Sequence, residues 1–159
     1  MEDKMKENIK FFLKVTFSHV FTYILCGIIF STLFNYWGWI SEHNNWRNMS
    51  SDIIVQLAPF FQIIRGILYG IAFFLIKDTI IYSKYGFIKL YVLMVIIGIF
   101  NTPATSPMSI EEFVYIIPDN TPSNIRLGGL LEILVQNLLF CSIVCIKWNE
   151  VKNKIFKKK

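Results

Sequence analysis

A membrane-length apolar run from Pro59 to Tyr82 carries an arginine, Arg65, part-way along it. A guanidinium toward the middle of a bilayer costs roughly 2.5 to 3.5 kcal/mol on insertion scales, so it persists only where the protein supplies a partner or a polar cavity. That requirement makes the chain a membrane protein with an internal polar site, and it sets the search for the group that answers Arg65. Composition agrees with the class: 54% of residues are hydrophobic, 16% aromatic and only 17% charged, too apolar for an ordinary soluble domain.

The formal charge of +5 raises nucleic acid as a partner, but the lysines gather at the two termini and in one short connection. No basic face interleaves with aromatics, so no nucleic-acid site is expected. The bilayer is the expected partner. Cys26, Cys141 and Cys145 all lie in apolar runs, where a thiol packs as a small hydrophobe. The first apolar run is too long for the core of a cleavable signal peptide and is expected to stay as a span.

Hydropathy and turn residues give an all-α integral membrane four-helix bundle, with spans at about 15–36, 57–82, 87–102 and 125–146 in one transmembrane domain. Outer loops cover 37–56 and 103–124, and a basic tail covers 147–159. In the first span Ser18, His19, Thr22, Tyr23, Cys26 and Gly27 recur at helical spacing, making one side smaller and more polar, the side expected to face protein. His19 is read there as a structural hydrogen-bonding group rather than a ligand. Trp37, Trp39 and Trp46 crowd the exit from this span as an interfacial belt. In the second span Gln62, Arg65, Gly66, Tyr69 and Gly70 share a face. Gly66 and Gly70 permit close helix approach, within the chain or to a second copy or another subunit. Pro103, Pro107, Pro118 and Pro122 break the long outer loop, where residues 110–117 are patterned as a short amphipathic helix bearing Glu111 and Glu112. It reads equally as a lid over the bundle or as a surface helix.

Lysines flank the N-terminus, the 77–89 connection and the C-terminal tail, which by the positive-inside rule places both termini in the cytoplasm, in a bacterial cytoplasmic membrane. The second and fourth spans then run the same way. Counted from Pro59 and from Ile125 at helical rise, Arg65 and Glu132 fall at about the same depth, roughly 10 Å in. Gln62 and Gln136 lie one turn from each, and Asn137 follows. The expectation is a buried Arg65–Glu132 pair within a hydrogen-bonded polar site.

No HExxH, CxxC, GxSxG or Walker glycine loop is present, so no catalytic residue is assigned and no metal or cofactor is expected. The leading expectation is a binding or transport-type module for a small polar or anionic ligand or a lipid headgroup. Its site would draw on Arg65, Glu132, Gln62, Gln136, Tyr69, Asn137, Glu111 and Glu112. Two alternatives stay open: a membrane-embedded enzyme acting on a lipid or lipid-linked substrate through the loop carboxylates, and a non-catalytic partner subunit.

Overall fold

The computed structural model describes residues 2–42, 52–101 and 122–146. Among them every regular element is helical. Helix α1 spans Glu2–Leu33, α2 Tyr36–Glu42, α3 Ile53–Gln56, α4 Ala58–Ile76, α5 Gly86–Val95 and α6 Ser123–Cys145. α4 runs on into a π-helical turn at Lys77–Ile81, and α5 into another at Ile96–Phe100.

Local chemistry explains these limits. The lysine-rich N-terminus, expected as a lead-in to the first span, is instead the opening turns of α1 itself. Glu2 and Asp3 sit in its first turn, where acids complement the helix dipole, and Lys6 reaches back to Glu2 at 2.6 Å. α1 ends because Asn35 adopts a left-handed φ of 51°, a conformation asparagine tolerates better than most residues. Within the loop expected at 37–56, the described residues up to Glu42 and from Ile53 to Gln56 are helical. Asp52 starts α3, its carboxylate accepting the Ile54 N–H at 2.8 Å. Pro59 lies in the first turn of α4, where its missing N–H removes nothing.

Three helices, Glu2–Leu33, Ala58–Ile81 and Ser123–Cys145, are long and apolar enough to cross a membrane; Gly86–Phe100 is apolar but shorter. α1 is the central element, flanked by α4 and α6, with α5 laid against α6. α4 runs antiparallel to α1, with Gly66 against Thr16 and Gly70 against Phe12. α6 is also antiparallel to α1, with Gly128 against Phe34 and Glu132 against Gly27. The Gly66/Gly70 ridge is therefore occupied inside the chain, on the face that the sequence left open to a second copy. A Cβ on Gly66 would lie 3.0 Å from the Thr16 Cα, which is how closely the two backbones approach.

One core holds the four longer helical segments together, built from Phe11, Val15, Phe73, Ile81, Leu90, Phe140, Cys141 and Val144. Polarity is distributed as expected for a lipid-facing protein. Ser18, His19 and Thr22 are at most 3% exposed, whereas Phe17 and Leu75 are 71% and 78% exposed. Small polar groups face inward and large apolar groups outward, which is compatible with a bilayer.

Candidate functional site

The polar groups of the bundle form two separate sets. The first lies on the α1–α4 seam. His19 is buried in α1 and its Nε2 sits 3.2 Å from Gln62 Oε1 on α4. The imidazole packs against the rings of Tyr69 and Phe140, with centroids 4.9 and 5.6 Å away, so α1, α4 and α6 meet around it. Arg65 follows Gln62 by one helical turn. Its side chain stands at the exposed edge of this set.

The second set lies toward the other end of α6. The Glu132 carboxylate rests against α1, with Oε1 3.8 Å from the point where a Cβ on Gly27 would stand. The left-handed turn at Asn35 ends α1 and leads into Tyr36, whose hydroxyl is buried near this carboxylate without a hydrogen-bond partner among the described residues. Gln136, half-buried, and Asn137, buried, continue along α6.

Arg65 and Glu132 thus do not pair. Among the described residues the only ion pair within 4.0 Å joins Lys6 to Glu2. The cause is register. Arg65 belongs beside Gly66, which meets Thr16, whereas Glu132 meets Gly27. Measured along α1 at helical rise, the two groups are roughly 15 Å apart. Counting from Pro59 and Ile125 assumed that α4 and α6 begin at one level, but the glycine contacts stagger them. Gln62 likewise serves His19 and not an Arg65–Glu132 network. Single and double alanine variants at Arg65 and Glu132 are therefore expected to add within about 0.5 kcal/mol in mixed-micelle unfolding. A coupling above about 1 kcal/mol would restore the pair.

Tyr69 and Gln62 join the Arg65 set, while Gln136 and Asn137 lie on the helix that carries Glu132. Glu111, Glu112 and the expected 110–117 helix lie outside the described residues. His19 is the residue that sequence reasoning left out of the site. The small polar stripe of Ser18, His19 and Thr22 was its signal. Cys26 and Cys141 are buried and free, packed as small hydrophobes. Among the described residues no three histidine, cysteine or acidic side chains converge as a metal would require.

No protein-family model, curated protein or solved structure matches this chain.

Proposed function

We propose that this chain is a membrane-embedded binding or transport-type module that takes a small anionic or polar ligand, or a lipid headgroup, at the Arg65 set. The lysine distribution supports a cytoplasmic location for both termini in a bacterial cytoplasmic membrane, which puts Arg65 in the outer half of α4. One observation carries the reading: Arg65 stands exposed beside a part-buried His19–Gln62 contact, and no carboxylate answers it among the described residues. A partner subunit would have its arginine closed off by Glu132, and here Glu132 lies against Gly27, roughly 15 Å along α1 from the level of Arg65.

The test is thermal unfolding of the full chain in detergent against a panel of carboxylates, inorganic phosphate and anionic or zwitterionic phospholipids. At least one anion is expected to raise the wild-type midpoint saturably, as ligand binding to the folded state must. Arg65→Gln should lose that rise. If no anion stabilises the wild type, or if Arg65→Gln responds equally, the reading fails.

A further inference from the structure

We infer that the ligand of the Arg65 set is the phosphate of an anionic phospholipid, held on the flank of α4 by the Arg65 guanidinium and the Gln62 amide; this rests on the reading of Arg65 as an anion site. The donor balance comes first. With Gln62 Oε1 accepting from the His19 imidazole at 3.2 Å, the Gln62 NH2 remains as a donor one turn from Arg65. A guanidinium offers its N–H groups in a planar fork that matches phosphate oxygens in pairs. Among the described residues the set is rich in donors and holds no carboxylate, so it selects an anion.

Depth and surroundings then choose the source. Arg65 lies beside Gly66, which meets Thr16, so along α1 it stands within about one turn of Lys14 and the end of α6. Arginine is long enough to snorkel from within a bilayer to the headgroups. Around Arg65 the helix exposes Phe61, Ile64 and Leu68, at 52%, 57% and 60%. That strip suits acyl chains below a phosphate and would meet water poorly if the ligand were a free ion. With no acidic side chain among the described residues paired to Arg65, none of them receives the ammonium of a zwitterionic headgroup. The occupant is accordingly a lipid of net negative charge.

Native mass spectrometry of the full chain, which counts lipids on folded protein only, tests this with phosphatidylglycerol, phosphatidylcholine and inorganic phosphate. Phosphatidylglycerol should bind the wild type about tenfold more tightly than phosphatidylcholine, and Arg65→Gln should lose that preference. Arg65→Lys, which keeps the charge without the fork, should retain part of it. Undiminished phosphatidylglycerol preference in Arg65→Gln overturns the lipid site. Equal protection of the wild type by inorganic phosphate alone overturns the lipid as source while leaving Arg65 an anion site. Binding of neither overturns the phosphate proposal, and a carboxylate response in the unfolding panel would then still uphold the broader reading.

Discussion

Gly86→Ala is expected to be among the most damaging single substitutions in the chain, lowering stability by about 3 kcal/mol or more. Gly86 opens α5 immediately after the short Tyr82–Tyr85 connection, and its φ is not positive, so a conformational preference is not the reason. Space is the reason. A Cβ there would lie 2.7 Å from the Ile80 carbonyl oxygen and closer still to that of Ile81. Both oxygens belong to the backbone of the π-helical turn Lys77–Ile81, fixed in part by the Tyr82 N–H donating to the Lys77 carbonyl at 2.8 Å. Unlike a side chain, they cannot swing aside. Relief must come from opening the turn, which would separate Ile81 from Leu90, two members of the core that are 3% and 0% exposed. Gly98→Ala is the matched control, because a Cβ at Gly98 meets nothing within 4 Å. The measurement is the unfolding midpoint of both variants in mixed micelles. A Gly86→Ala protein as stable as Gly98→Ala would show that the two carbonyls give way.

This contact also marks where sequence reasoning reached its limit. Long apolar runs, the Pro59 start, the Gly66/Gly70 ridge and the small polar stripe around His19 are local patterns, and the helices and their inward faces follow from them. Register between helices is not local. It depends on which residue of α1 each glycine meets, Thr16 for Gly66 and Phe34 for Gly128, and no spacing within α4 or α6 encodes that partner. Two charges that look level when counted from their own helix starts are therefore staggered in the bundle. Tyr36 comes near Glu132 because a single left-handed residue, Asn35, turns the chain after α1. On sequence alone Tyr36 is only the aromatic end of the first span. The candidate site was legible as a set of residue types, and Gln62 and Tyr69 both reach His19 across the α1–α4 seam. Which of them face one another was not.

The lysines teach the same lesson, and they supply the other large expected effect. On sequence Lys14 is one of several cations at a membrane boundary. In the fold its Nζ donates to the carbonyls of Val144 and Ile146, at 2.7 and 2.6 Å, at the point where α6 ends. The last carbonyls of a helix have no partner within it and carry the negative end of its dipole, so a half-buried ammonium satisfies them and complements that charge together. The bonds span the sequence from near one end to near the other and tie α6 to α1 beside Val15, Cys141 and Val144, all at most 1% exposed. Lys14→Met keeps most of the aliphatic stem and removes only the donor. Hydrogen bonds to charged groups are worth about 1.5 to 3 kcal/mol, so a loss of about 3 kcal/mol is expected for the two together. Lys10, one turn earlier and exposed, is the control, and Lys10→Met should stay within about 0.5 kcal/mol of wild type. Hydrogen exchange localises the effect: protection should fall first in the final turn of α6, around Val144 and Cys145, before α4 responds. Equal stability of the two methionine variants, or a loss of protection that begins in α4, would show that Lys14 serves the headgroups and not the end of α6.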